Sequence, residues 1–270
     1  MKLSNRSLKI PRIRKLLVIS IAFCVAVSFN KARAQQFNSD SWLSKQHGTI
    51  TIIPTFGQRN SMLMNTYSLI PKWEFTMAAY LYNHDKNLAT DDGYSTSFYV
   101  KYMFYENKSR TGGAAVKFGT GLFPGNLDEE EGVKDAFKTY WMNAPVTLPF
   151  LKNKLQWDIM PGVSTTRDYG TQKVTVVSFT YSTRLAWYPF NDKGSVVGEM
   201  FGVMGGAAAV PEYKIGWRWE PSQYAVFAIT YGNEINGHNG AGFEIGAMLF
   251  TPPFACLGGC STGKKKKAVN

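Results

Sequence analysis

Few residues in this sequence could carry out catalysis. Side-chain catalysis needs a nucleophile beside a positioned base, and the base is most often a histidine. The chain has three histidines, His47, His84 and His238. His238 lies in the polar stretch GNEINGHNGAG, and no serine stands within two residues of it. We therefore expect no catalytic site and interpret His238 as a loop residue; a hydrolase that uses His238 is the enzymatic alternative.

The cysteines and the acidic run are candidates for a disulfide and for a metal site. Cys256 and Cys260, in CLGGC, form an even pair, which indicates a local disulfide if the chain is exported. A metal site there would need about two further ligands, and no histidine or acid lies nearby. The acidic run DEEE at 128–131 has no ordered ligand spacing for a divalent cation, so we interpret it as a solvated loop. The sequence predicts neither a metal nor a cofactor.

A third group of residues could select solutes that pass through the protein, rather than catalyse a reaction. Single charges of both signs recur among small polar residues along the chain. Enclosed charges of this kind set the ion and solute preference of channels. The alternative is a polar interior that only fixes the shape of the protein, and both roles can coexist. The nine residues are Glu74, Lys101, Lys117, Asp158, Arg184, Glu199, Lys214, Arg218 and Glu244.

The stretch KVTVVSFTYSTRLAWY at 173–188 shows what kind of element holds these charges. From Val177 onward, large apolar residues alternate with small or polar ones, and Arg184 belongs to the second set. A period of two is that of a β-strand with one apolar aromatic face and one polar face. The predicted strands place eight of the nine charges on such polar faces; the ninth, Glu199, lies in the run 195–204, where a strand is inferred from its length and its neighbours.

Strand-like runs predict an all-β fold. Twelve of them lie roughly at 48–57, 62–69, 72–83, 94–106, 112–122, 136–149, 155–165, 173–188, 195–204, 211–219, 222–231 and 240–250. Longer and shorter connections alternate, and the longest is FPGNLDEEEGVKD at 123–135. Short turns at one end, longer loops at the other and an even strand number are typical of bacterial outer-membrane barrels. We predict a single closed antiparallel up-and-down transmembrane β-barrel of about twelve strands.

The composition of the two strand faces separates a membrane barrel from a soluble sandwich or lipocalin-like barrel, which would also alternate. The polar face carries mostly Ser, Thr, Gly, Ala and Tyr rather than many Lys and Glu, which suits a confined interior. The apolar face is rich in aromatic residues near strand ends, as expected of interfacial girdles. Charged residues make up 18% of the chain, below the usual level of about 25%. These patterns favour lipid around the barrel.

The first residues predict a secretory signal. A basic start precedes an apolar run at 16–29 that is too short to cross a bilayer as a helix. Ala32 and Ala34 then supply the small residues of a cleavage site before Gln35. An uncleaved anchor is the alternative. The predicted organisation is a signal peptide at 1–34, a periplasmic lead-in at 35–47, the barrel at 48–254 and a basic tail at 255–270.

The basic balance of the chain belongs to its two ends. The formal net charge is +11, but the signal holds eight of the 30 basic residues and no acid. The remaining 22 basic residues face 19 acids, and four of them form the run KKKK at 264–267. No basic surface for nucleic acid follows from this distribution.

Three strand–turn–strand units carry a family resemblance: YSLIPKWEFTMAAYLY, VTLPFLKNKLQWDIMPGV and YKIGWRWEPSQYAVFAITYG. Over most of residues 48–250 the chain resembles Gram-negative outer-membrane β-barrels. It is most similar to the transporter barrels of the phenol-degradation MetA-pathway type. The resemblance implies passage of small hydrophobic or aromatic solutes across the outer membrane.

The sequence therefore favours a passive outer-membrane channel or transporter for small molecules with a mixed-charge lumen. The alternatives are a lipid-modifying enzyme that uses His238 at the barrel rim, and a structural or adhesion barrel whose loops contact partners. The expected partners are outer-membrane lipid, a small-molecule solute, and the export and barrel-assembly machinery.

Overall fold

The alternation of apolar and polar residues is realised as a sheet with two unlike faces. The structure, a computed structural model, describes residues 40–41, 47–82, 93–121, 139–167, 175–190, 193–204, 211–235 and 240–254. Its β segments are β1 (Thr49–Gly57), β2 (Asn60–Ile70), β3 (Trp73–Tyr82), β4 (Gly93–Glu106), β5 (Gly113–Gly121), β6 (Thr139–Asn143), β7 (Val146–Phe150), β8 (Leu155–Ile159), β9 (Gly162–Arg167), β10 (Thr175–Trp187), β11 (Gly194–Met204), β12 (Glu212–Ser222), β13 (Ala225–Glu234) and β14 (Gly242–Phe250). A short 3-10 helix, Leu151–Asn153, links β7 to β8. No helix in these ranges has the length and apolarity needed to cross a bilayer.

Two barrel strands are each interrupted once, at a proline. The register of β6 with β9 continues into that of β7 with β8, and the Ala144 amide donates to the Pro161 carbonyl at 2.9 Å. Pro145 and Pro161 have no amide hydrogen, so each removes one donor from the ladder. Segments β6 and β7 thus form one continuous strand, and β8 and β9 form another. The fourteen segments therefore make up twelve barrel strands.

Pairing between the first and last strands closes the sheet. Each strand pairs antiparallel with its neighbours in sequence, and β14 returns to β1 over the register from Thr51 opposite Phe250 to Gly57 opposite Glu244. A closed sheet leaves no unpaired edge, which is the condition for β-structure in a bilayer. The predicted all-β, closed antiparallel barrel of about twelve strands is confirmed, and the number in the structure is twelve.

The outer face of the barrel is apolar and exposed. On β10, Phe179 is 60% exposed and Leu185 48%, whereas Arg184, between them in the alternation, is 2% exposed. Near the strand ends, Trp187 and Trp219 are also exposed on this face. Exposed apolar side chains around a closed barrel indicate contact with lipid acyl chains. Aromatic residues near the strand ends are typical of the membrane–water interfaces.

The connections divide the barrel into two unlike ends. At the turn end, residues 71–72, 107–112, 151–154, 188–193 and 223–224 join successive strands. At the loop end the connections are 58–59, 83–92, 122–138, 168–174, 205–211 and 235–241. Since β1 begins and β14 finishes at the turn end, the two barrel termini lie together there.

The interior contains an apolar cluster beside its polar groups. The cluster comprises Ile53, Met64, Ala78, Tyr80, Tyr99, Trp141, Met160, Val226 and Met248. Gly119, on β5, lies between Tyr99 and Trp141, whose ring centroids are 5.4 Å apart. A Cβ atom at residue 119 would lie 2.6 Å from atoms of both side chains. The glycine therefore allows these two rings to approach each other across β5.

Several predictions concern residues outside the described ranges. They are the signal peptide at 1–34, the Cys256–Cys260 disulfide, the basic tail at 255–270, the acidic run at 128–131 and His238. These remain predictions.

Substituting Gly119→Ala tests the packing of the interior. The added Cβ would overlap Tyr99, Trp141 and the Phe98 carbonyl, so we expect the free energy of unfolding to fall by about 1–3 kcal/mol. Gly198→Ala is the matched control, because a Cβ atom there meets nothing within 4 Å. Urea unfolding in detergent micelles, followed by the heat-dependent shift on a gel, measures both. Equal losses in the two variants would contradict the packing role of Gly119.

Candidate functional site

The nine predicted charges all lie in barrel strands and are all buried. Each is at most 5% exposed. They come from β3, β4, β5, β8, β10, β11, β12 and β14, so they surround the interior. Because side chains alternate along a strand, these residues point away from the exposed apolar face. Their part in solute passage stays a prediction.

The Asp158–Arg184 pair is the most fully bonded of these contacts. The two residues face each other on β8 and β10. Arg184 Nε and Nη2 donate to Asp158 Oδ2 at 2.9 and 2.7 Å. Asp158 Oδ1 accepts from Thr147 Oγ1 and from Gln156 Nε2. Both carboxylate oxygens are thus used, as a buried charge requires.

Charges of alternating sign continue from this pair across the wall. Glu199 on β11 stands opposite Arg184 on one side and Lys214 on the other. Lys214 Nζ then lies 2.6 Å from Glu244 Oε2 on β14, reaching over β13, where Gly232 is opposite Lys214. Each charge in this row has a neighbour of opposite sign, which offsets part of the cost of burying it.

Arg218 binds two residues that the sequence did not single out. Its Nη2 lies 2.5 Å from Glu220 Oε1 and donates to Tyr188 Oη at 3.0 Å. The Tyr188 hydroxyl in turn donates to Glu220 at 3.0 Å. Glu220 lies at even spacing from Arg218 on β12, so strand alternation could have identified it. Tyr188 follows the last residue of β10, and it lies at even spacing from Arg184 in the predicted strand at 173–188, so the same alternation could have identified it.

The cluster of Glu74, Lys101, Lys117 and Asp40 is the second charged group, and one of its members was not foreseen. Glu74 Oε2 lies 2.5 Å from Lys101 Nζ. Lys101 and Lys117 stand opposite each other on β4 and β5. Asp40 lies between them, with Oδ1 3.3 Å from Lys101 Nζ and Oδ2 3.0 Å from Lys117 Nζ. Asp40 is only 4% exposed, although it belongs to the polar segment predicted as a lead-in.

Ionisation of Asp40 is set by its two lysine neighbours. Burial by itself would raise the pKa of this carboxyl group, but the charges of Lys101 and Lys117 hold the pKa below its usual range. Asp40 is therefore a carboxylate at neutral pH and bridges two ammonium groups that would otherwise repel each other.

Aromatic rings border the same cluster. Lys117 Nζ lies 4.5 Å from the Tyr99 ring centroid and 5.7 Å from that of Trp141. The Tyr99 hydroxyl donates to Met64 Sδ at 3.3 Å. A cation over aromatic faces is attracted by their quadrupoles, so this corner of the interior combines positive charge with flat apolar surface.

Buried hydroxyl groups also line the interior. Thr66 and Thr76 bond to each other through their hydroxyl groups at 2.9 Å. Five further buried hydroxyls have no hydrogen-bond partner among the described residues; they belong to Thr51, Thr55, Ser68, Ser97 and Ser195. Leaving a buried hydroxyl without a hydrogen bond is costly, so these groups favour a polar partner inside the barrel.

Metal-ligand geometry is not found in the described ranges, where no group of three His, Cys, Asp or Glu side chains could hold an ion. The other residues considered for chemistry, His238 and the pair Cys256 and Cys260, lie outside those ranges.

Comparisons with known proteins bear on the fold. No protein-family model and no curated protein matches the sequence. An outer membrane channel from Pseudomonas putida F1 is similar in structure, with a TM-score of 0.51 and 12% identity over 83% of this chain and 98% of that one. Two other solved structures are more distant. The KdgM porin has a TM-score of 0.46 and 7% identity over 74% of this chain and 98% of that one. The CymD monoaromatic hydrocarbon channel has a TM-score of 0.35 and 7% identity over 78% of this chain and 90% of that one.

At this level of identity the first similarity shows a shared fold. The chain is an outer-membrane β-barrel. Its closed sheet pairs the backbone amides and carbonyls of neighbouring strands with one another, and its exposed outer face is apolar. These two properties place the protein in the cell outer membrane.

Substituting Asp158→Asn tests the buried pair. The change replaces the carboxylate that accepts two Arg184 hydrogen bonds with a neutral amide, so we expect the free energy of unfolding to fall by about 3 kcal/mol or more. Glu106→Gln is the control, because Glu106 pairs at 3.6 Å with Arg110, whose side chain is 81% exposed; its loss costs under about 1 kcal/mol. Urea unfolding of both variants in one detergent provides the measurement. An Asp158→Asn effect as small as the control would show that the pair does not stabilise the barrel.

Proposed function

We propose that this protein is a passive outer-membrane channel or transporter for small molecules, with its path through the barrel interior. The observation that carries the proposal is the polar content of that interior: nine buried charges from eight β segments, and five buried hydroxyls that have no hydrogen-bond partner within the described part of the chain.

A barrel with a purely structural role would not need such an interior. Apolar side chains of similar volume fill a core at least as favourably as buried ion pairs, since desolvation offsets much of the attraction between charges. Water inside the barrel would satisfy the buried hydroxyls that find no partner in the described strands. Enclosed water beside charges of both signs is the environment through which polar solutes pass.

The solute class is the finer part of the proposal. The resemblance to transporter barrels of the MetA-pathway type supports small hydrophobic or aromatic solutes. The rings of Tyr80, Tyr99 and Trp141, all buried in the interior cluster, would provide apolar contacts for them. Outer-membrane lipid and the export and assembly machinery are the partners that such a barrel requires.

The two alternatives rest on residues outside the described ranges. A lipid-modifying enzyme would depend on His238, and an adhesion role would depend on the loop at 123–135. We therefore give preference to the channel.

Planar-bilayer recordings of the purified, refolded protein test the proposal. We expect discrete conductance steps in potassium chloride solution, because a water-containing polar interior passes small ions. A barrel that is folded, as judged by its heat-dependent shift on a gel, and yet passes neither ions nor small solutes would contradict a channel function.

The variant Glu199→Gln tests whether the charged row lies on the path. It removes the negative charge between Arg184 and Lys214, so we expect the anion-to-cation permeability ratio to rise roughly twofold or more. Reversal potentials in a salt gradient measure this ratio. The control is again Glu106→Gln, which removes an acid at the turn end and should leave the ratio unchanged. If both ratios stayed at the wild-type value, the row would not line the path.

A further inference from the structure

We propose that Lys117 and Lys101, with the rings of Tyr99 and Trp141, form a binding site for small aromatic carboxylates, and that Asp40 of the same chain occupies this site. The inference rests on the proposed channel function, because it names a solute class and a means of control for the same interior.

Asp40 belongs to none of the strands that form the barrel wall. It precedes the first residue of β1, Thr49, and takes part in no strand pairing. Its neighbour Ser41 is 7% exposed and contacts Lys101 through its backbone carbonyl at 3.4 Å. A segment that is not part of the sheet thus places one carboxylate between two lysines of the wall.

The two lysines depend on Asp40 to different degrees. Lys101 has a second carboxylate, Glu74, at 2.5 Å. Lys117 is completely buried, and within the described residues no carboxylate other than Asp40 lies within 4 Å of its ammonium group. A buried ammonium group without a counter-ion is costly, so the position next to Lys117 requires an anion.

The surroundings of Lys117 indicate which kind of anion fits. The Tyr99 and Trp141 rings lie within 6 Å of its Nζ, with 5.4 Å between their centroids. The absent side chain of Gly119 leaves both rings in contact across β5. An aromatic carboxylate matches this arrangement, since its charged group replaces that of Asp40 and its ring packs against the aromatic side chains.

Asp40 and such a solute carry the same functional group and therefore compete. While Asp40 is in place, the apparent affinity for a solute carboxylate is reduced by the fraction of molecules whose site is free. A solute carboxylate that displaces Asp40 would break the contacts of Asp40 with the two lysines, so occupancy by the solute and loss of these contacts are coupled.

Binding of benzoate to the full-length protein in detergent micelles tests the site. We use equilibrium dialysis with radiolabelled benzoate, and benzyl alcohol as a probe of the same shape without the charge. Asp40→Ala should bind benzoate about tenfold more tightly than the wild type or better, because the internal competitor is gone. Benzyl alcohol should show no comparable gain.

Ser41→Ala is the matched control. Ser41 is buried beside Asp40, but its contact with Lys101 uses the backbone carbonyl, which the substitution keeps. This variant should bind benzoate like the wild type.

A second pair of variants assigns the gain to Lys117. In a Lys117→Met background, removing Asp40 should no longer strengthen benzoate binding, so the two changes are non-additive. Where Asp40→Ala does not fold, Asp40→Asn keeps the size of the side chain and removes its charge. The proposal is overturned if the folded Asp40 variants bind benzoate no more tightly than the wild type, or if the gain persists without Lys117.

Bilayer recordings separate this inference from the channel proposal. Tighter benzoate binding by Asp40→Ala in a protein that conducts nothing would support the site and count against the channel. Conductance with unchanged benzoate binding would support the channel and reject the site.

Discussion

A bilayer offers no hydrogen-bond partner to a backbone amide or carbonyl, and this constraint governs the whole molecule. The first and last strands, β1 and β14, pair with each other, so neither leaves an edge of unpaired amides and carbonyls. Beyond the end of β14, the Thr251 and Phe254 amides still donate to the carbonyls of Ile50 and Gly48, both at 2.9 Å. Because every strand is paired on both sides, the backbone is fixed and the sequence can vary only in its side chains, which alternate between the lipid and the interior.

Closure creates an enclosed space in which charges must find partners. In open water Arg184 and Asp158 would contribute little to each other, but inside the barrel an unpaired charge is far more costly than a paired one. Opposite residues on adjacent strands lie close enough to interact directly. Charges of alternating sign on β8, β10, β11 and β12 therefore partly offset the cost of burying one another.

The interior is also not uniform. Among the described residues, the buried hydroxyls without a hydrogen-bond partner lie mainly on β1, β2 and β4, close in sequence to Ile53 and Tyr99 of the apolar cluster. Polar and aromatic groups are thus interspersed in one barrel. Asp40 lies beside the lysines at the aromatic rings and offsets their positive charge, which links the state of the lysines to a residue outside the strands.

The sequence by itself determined most of the strands, their approximate number and the face on which most of the charges lie. The reason is local: side chains alternate along a strand, so the neighbours of Arg184 indicate its direction without knowledge of its partners. Only the tertiary structure decided which charges meet. Asp158 and Arg184 are separated by 26 residues and come together through strand register, which no local pattern encodes. Asp40 lies in a segment without any period, and its position follows solely from the place where Lys101 and Lys117 are brought side by side.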